Sequence, residues 1–269
     1  MYDVTLVLPS INPKEWQRLY YEIERNLGPI DSKHHLDIKW ELIIISPFES
    51  NDEILNRPNV RFIQDYGNPT RCVQIASTVA RGKLFTWMSD DVSIIENNLK
   101  RIIIDSFNTN PENYELVVRY YEIGTDGQYD DSARYWYTGA HGAVDKLRGL
   151  SRTQIIAPVG ITPLSTFRTL GGFDCKFMHI NMCCLDYSCR ITNTGGRVIL
   201  PDYTVYTCTW GVTDSQFLTD IFEKHDKLHF WSIYDDINIA KDRKTIDYTN
   251  WTEAPPIWKE KWGDKAKLS

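Results

Sequence analysis

The feature that most constrains this chain is a repeated alternation of short apolar runs with amphipathic stretches. Val4-Thr5-Leu6-Val7-Leu8-Pro9 reads as a buried strand closed by Pro9 and Ser10. Asn12-Pro13 then opens a helix, and Trp16, Leu19, Tyr20, Ile23 and Leu27 recur on one helical face before Gly28-Pro29 ends it. Trp40 to Ser46 is a second buried strand, and Val60 to Ile63 centres a shorter third. Thr70 to Ala80 reads as a helix with Gly82 as its C-terminal glycine. Leu84 to Met88 is a fourth strand and runs straight into Ser89-Asp90-Asp91. Strands that alternate with helices imply a mostly parallel sheet with crossover helices, and such sheets bind ligands at the C-terminal ends of their strands. Pro9-Ser10, Ser46-Pro47 and Ser89-Asp90-Asp91 are therefore expected on one functional edge.

Beyond residue 96 the pattern is less regular. Helices are expected at Asn97 to Phe107, Leu185 to Thr194 and Asp214 to His225, and strands at Tyr114 to Tyr121, Arg197 to Leu200 and Thr204 to Thr209. Gly195-Gly196 stops the second of these helices. The Gly-, Asp- and Tyr-rich stretch from Ile123 to Gly149 reads as a long loop, and long loops in compact domains are often functional. No stretch approaches 18 consecutive apolar residues, and Met1 to Ser10 reads as a strand rather than a leader, so a cytoplasmic chain without integral membrane association is expected.

Thirty basic against 36 acidic residues give a net charge of -6, which weighs against a broad polyanion-binding surface. Cys175, Cys183, Cys184 and Cys189 fall close together, but the C-x7-C-C-x4-C spacing lacks the paired CxxC knuckles of a zinc site. Buried thiols that pack as small hydrophobes are the expectation.

Two carboxylates directly after a buried strand are the sharpest chemical signal. Hard oxygen ligands there suit Mg²⁺ or Mn²⁺, which usually take one or two carboxylates together with substrate phosphates. The segment from Cys72 to Leu84, then Phe85 to Met88, then Ser89-Asp90-Asp91 resembles the A-R-N-x-G-x-x-x-A-x-G-E-Y, apolar strand and D-x-D series of family 2 glycosyltransferases, without a gap. Ala80, Gly82 and Asp91 hold their places; Gln74 stands for the family's Asn, and Ser89 for the first Asp. Downstream, Leu170-Gly171-Gly172-Phe173-Asp174 and Asp186-Tyr187-Ser188-Cys189-Arg190 resemble the family's L-G-G-F-D and E-D-x-D-L-x-x-R segments.

The resemblance implies a glycosyltransferase-A-like α/β fold: a mostly parallel central sheet flanked by helices, with a smaller acceptor-side region. It implies a catalytic unit over 1–212, with a nucleotide-sugar half of about 1–95 and an acceptor half of about 96–212. The segment 213–269 would be a helical, aromatic extension on the same unit. The implied activity is metal-dependent transfer of a sugar from a nucleoside-diphosphate sugar to an acceptor hydroxyl, with inversion, on a glycan, protein or modified nucleic acid. Asp91 is implied as the ligand of Mn²⁺ or Mg²⁺. Pro9, Ser10, Arg71, Ser89, Asp90, Gly171 and Gly172 are implied on the nucleotide sugar, and Asp186 as the general base. The family's usual base position is held here by Cys184. The family also places a His past the last strand, where this chain has Cys208-Thr209-Trp210; His179, His225 and His229 are the remaining candidates for a further ligand. Two rival readings are a glycosyltransferase-like binding module without turnover and a nucleotidyltransferase. The latter normally has a glycine-rich basic loop after the first strand, which Ser10 to Trp16 lacks.

Overall fold

The computed structural model describes residues 2–29, 37–110, 112–123, 129–130, 157–209, 220–234 and 242–253. Strand β1 (Tyr2–Pro9) lies in the interior of a seven-stranded sheet. It pairs in parallel with β2 (Trp40–Ser46) on one side and β4 (Gly82–Trp87) on the other, and β3 (Val60–Gln64) pairs with β2 at the edge. Strand β9 (Gly160–Pro163) runs antiparallel to both β4 and β6 (Tyr114–Val117), and β10 (Arg197–Ile199) is parallel to β6. All strands but β9 therefore point the same way, and the ends of β1, β2, β4 and β6 share one edge.

Both faces of this sheet are covered, which explains why its central strands read as continuous apolar runs. Leu6 and Leu8 of β1, with Leu42 and Ile44 of β2, pack against α1 (Trp16–Leu27) and α3 (Asn98–Phe107). Val7, Ile43 and Ile45 face the opposite layer of α2 (Pro69–Val79), α4 (Leu164–Thr169) and α5 (Ile180–Asn193). Each fully buried aliphatic side chain in these layers contributes about 1.5–3 kcal/mol.

A second, four-stranded sheet has the order β5 (Val92–Ile94), β11 (Tyr206–Thr209), β7 (Tyr120–Ile123), β8 (Tyr129–Asp130). The single strand expected from Tyr114 to Tyr121 is thus two. The chain leaves the large sheet after Val117, and Arg119 O accepts from Val205 N and Tyr206 N where it enters the small one.

Other boundaries differ for local reasons. Gly82 is not a helix cap: α2 ends at Ala80 in extended backbone, and Gly82 opens β4, where a Cβ would stand 2.4 Å from Thr5 N. Helix α5 starts five residues earlier than expected, at Ile180, because the His179 side chain and Asp226 hold its entrance. The helix expected to stop at His225 continues through π-wound Phe222–Asp226 into α6 (Lys227–Ile233), with its first part outside the described residues. Most of the expected loop from Ile123 to Gly149, and Trp210, also lie outside them. The four cysteines between 175 and 189 are buried and form no disulfide, and Cys183, Cys184 and Cys189 pack in the core beside α2. No helix among the described residues is long and apolar enough to cross a membrane.

Candidate active site at the sheet edge

The expected edge forms. Strands β1 and β4 end side by side, and the loop after β1 is tied to the turn after β4 by one carboxylate. Asp90 Oδ2 accepts from Ser10 Oγ at 2.7 Å and from the backbone N–H of Ile11 and Asn12, each at 3.0 Å. Ser10 Oγ in turn accepts from Trp16 Nε1 at 2.8 Å and Asn12 N at 3.1 Å. Burial pushes the Asp90 carboxyl up, and these three donors work against that. Pro9 ends β1 beside Ile45 of β2. Ser10 and Asp90 thus have a firm structural duty at the place where nucleotide contacts are expected.

Asp91 is presented differently. It is half-buried, directly before β5, with Oδ1 accepting from the Ser89 hydroxyl and Oδ2 from the Cys208 thiol at 3.1 Å. Cys208 reaches it because β11 pairs antiparallel with β5, Cys208 opposite Val92. Sequence reading missed this contact: it marked the absent His after the last strand but gave the Cys no role.

No group of three His, Cys, Asp or Glu side chains able to hold a metal occurs among the described residues. The donor set at Asp91 is one carboxylate with a hydroxyl and a thiol. Its carboxylate and hydroxyl oxygens, but not the soft thiol, suit a hard divalent ion, which would complete its shell with substrate phosphates and water. The three histidine candidates lie elsewhere. His225 Nδ1 is 2.8 Å from Asp226 Oδ1, and the backbone N–H of His179 donates to Asp226 Oδ2 at 2.5 Å. His229 Nε2 is 3.4 Å from Asp174 Oδ2.

Several other expected site residues are committed to internal partners. Arg71 donates through Nε and Nη2 to Asp65 at 3.0–3.3 Å, and through Nη1 to the Trp251 carbonyl; its guanidinium also lies 5.5 Å from the Trp251 ring centre. In this structure Arg71 is thus held in an ion pair that the C-terminal strap 242–253 closes. Gly171 and Gly172 have φ of +90° and +69°, where a side chain is strained. A Cβ on Gly171 would meet Ile246 O at 2.1 Å, and one on Gly172 would meet Gln74 Oε1 at 2.1 Å. Their close approach in this structure is to the strap and to Gln74. Gln74 is fully buried: Nε2 donates to Gly171 O and Tyr248 O, and Oε1 accepts from Phe173 N. The sequence marked Gln74 only as a departure from the family's Asn, and this bolting role was not legible.

Asp186 is the most heavily engaged of the expected site residues. It is fully buried, Oδ1 accepting from Arg243 Nε at 2.6 Å and Tyr234 Oη at 2.7 Å, and Oδ2 from Arg190 Nε at 2.9 Å. Arg190 also donates to Leu170 O and Gly172 O. A general base needs an oxygen within reach of the acceptor hydroxyl. In this structure both Asp186 oxygens accept from neighbouring donors, so Asp186 stands as an ion-pair anchor between α5 and the strap. Asp174 shares Arg243 at 2.6 Å. Burial works to raise its carboxyl, but His229, the Lys176 N–H and Arg243 outweigh it and hold the group well below the usual range. Cys184, at the family's base position, donates to Pro158 O at 3.2 Å.

No family model matches the chain, and no curated protein sequence does. Solved structures do. TarS of S. aureus, residues 1–349 with UDP, is similar at 14% identity and a TM-score of 0.52, over 81% of this chain and 64% of that one. The longer TarS structure gives a TM-score of 0.52 at 13% identity, over 88% of this chain and 46% of that one. GalNAc-T7 with UDP, GalNAc and Mn²⁺ gives 0.54 at 14% identity, over 94% of this chain and 56% of that one. The chain thus spans less than two thirds of each of these proteins. At such identity the likeness concerns architecture alone: this chain has the α/β fold of the glycosyltransferase-A type, a large mostly parallel sheet flanked by helices, as those proteins do.

Proposed function

We propose that the chain is a nucleotide-sugar-dependent glycosyltransferase that passes a sugar to an acceptor hydroxyl. The observation that carries the reading is the half-buried Asp91 on the strand-end edge of a glycosyltransferase-A sheet, held among the described residues by the neutral Ser89 hydroxyl and Cys208 thiol. Both are weak partners that a cation can replace. The nucleoside diphosphate would lie across the ends of β1 and β4. There Asp90 keeps the Ser10–Asn12 loop in place, and Asp91 would hold Mg²⁺ or Mn²⁺ against the phosphates. Such an ion neutralises the charge that develops on the leaving diphosphate. TarS and GalNAc-T7 each have a structure with UDP, the latter also with Mn²⁺, so UDP with Mn²⁺ is the first pair to try. Inversion stays with the family resemblance.

A second reading, a binding module without turnover, is favoured by one observation. In the segment where the family carries its base, every oxygen of Asp174 and Asp186 already accepts a hydrogen bond. Metal-dependent release of sugar from UDP-GlcNAc or UDP-GalNAc, measured as free UDP over hours, separates the two. Release that Asp91→Asn abolishes supports a transferase. UDP binding with no release under any metal supports the binding module. A thermal shift scan with nucleoside diphosphates that gives no response with or without Mn²⁺ would reject both.

A further inference from the structure

Two arginines are buried in the described core, and they are treated in opposite ways. Arg190 is neutralised by Asp186 and capped by two carbonyls. Arg119 is 7% exposed, its Nε has no hydrogen-bond partner, and no carboxylate among the described residues pairs with it. What it does meet is apolar or aromatic. Its guanidinium carbon lies 6.0 Å from the Tyr121 ring centre. That ring packs in turn against the small cluster of Val117, Ala157 and Val198.

A buried charge without a counter-charge costs several kcal/mol, so a fold that keeps one invites a ligand to complete it. The place of Arg119 narrows what that ligand is. Its carbonyl is pinned by Val205 N and Tyr206 N at the end of β6, on the same edge as the end of β4. Strand β9 lies between β6 and β4 in the large sheet, and β11 lies between β7 and β5 in the small one. Across the large sheet Arg119 follows Val117, which stands two strand spacings, about 10 Å, from the end of β4; in the small sheet it is level with Ile95, four residues along from Asp91. That is beside the ion and diphosphate region rather than on it. A guanidinium fork matches carboxylate and phosphate oxygens in pairs.

We propose that Arg119 binds an oxyanion on the acceptor, a carboxylate or phosphate group, so that this protein acts on an acidic acceptor. The identification of the ligand as the acceptor rests on the transferase reading above; the anion site does not. The -6 net charge makes a built cationic point more necessary, because the surface as a whole does not attract acidic molecules.

The test uses the full chain at fixed ionic strength, by calorimetric titration and thermal unfolding. Glucose 6-phosphate, glucuronate and neutral glucose are the probes, with UDP plus Mn²⁺ titrated in parallel. Native protein is expected to bind at least one of the two anions and not glucose, and the tighter of the two identifies the anion. Arg119→Met should weaken that binding at least tenfold, Arg119→Lys less, with UDP binding unchanged in both. Without ligand, Arg119→Met should melt no lower than native, since it removes an uncompensated buried charge. Absence of anion binding by native protein, or equal binding by Arg119→Met, overturns the proposal. So does a fall of several degrees in unliganded Arg119→Met, which would make Arg119 a structural ion. Arg119-dependent anion binding without any UDP binding would remove the transferase reading and leave the anion site. The reverse pattern would do the opposite.

Discussion

Arg243 Nε donates to Asp186 Oδ1 at 2.6 Å, and through this pair the C-terminal strap is fastened to helix α5. The same guanidinium reaches Asp174 at 2.6 Å, so one side chain joins the turn before α5 to its middle. Burial works against the charge on Arg243, but Asp186, Tyr234 and Asp174 raise its affinity for the proton beyond the ordinary arginine value. Removing one partner of a buried pair typically costs 3–5 kcal/mol, because the other charge is left uncompensated.

Asp186→Asn is therefore expected to lower the unfolding free energy by about 3 kcal/mol or more. Urea unfolding followed by tryptophan fluorescence measures it. A variant that folds with native stability and has lost only sugar transfer would restore Asp186 as a base.

Glu115 on β6 is fully buried; Oε2 accepts from Ser188 Oγ at 2.7 Å, and Oε1 has no partner. Burial pushes this carboxyl up to about 8, with the Ser188 hydrogen bond and the Arg190 charge opposing. A folded-state value above the unfolded one means that its contribution to stability is full below about pH 4.5 and is lost as pH rises through about 8. The difference between these limits is on the order of 5 kcal/mol. Glu115→Gln should gain stability over the native chain as pH rises from 5 to 8.5. Parallel pH-stability curves for the two proteins would contradict the assignment.

Gly172 and Gly195 both have positive φ, +69° and +79°, but only one is crowded. A Cβ at Gly195 meets nothing within 4 Å, whereas one at Gly172 meets Gln74 Oε1 at 2.1 Å. Gly195→Ala should cost about 1 kcal/mol, the backbone penalty alone. Gly172→Ala should cost about 3 kcal/mol or more, because the Gln74 bolt must also move. Equal melting temperatures for the two variants would refute this reading of the turn.

The sheet was legible in the sequence because β1, β2 and β4 are buried on both faces and carry almost wholly apolar runs, such as Val4 to Leu8 with its one threonine and Leu42 to Ile45. The Asp90-Asp91 turn was legible because it follows one of those runs directly. The role of Asp186 was not. An Asp four residues before an Arg on a helix reads the same whether it faces a substrate or a half-buried arginine 57 residues downstream. Arg243, Gln74 and Cys208 were silent for the same reason: their partners are distant in the chain and follow no period. The split of Tyr114 to Tyr121 between two sheets was hidden because both halves have the same strand-forming composition.

Titration of UDP by calorimetry, with and without Mn²⁺, on the native chain and on Asp91→Asn tests the central claim most directly. Native protein is expected to bind UDP tightly only with the metal, and Asp91→Asn, folded to native stability, to lose that gain by tenfold or more. Binding that is equal with and without Mn²⁺, or equal in the two proteins, would contradict a metal-assisted donor site at Asp91.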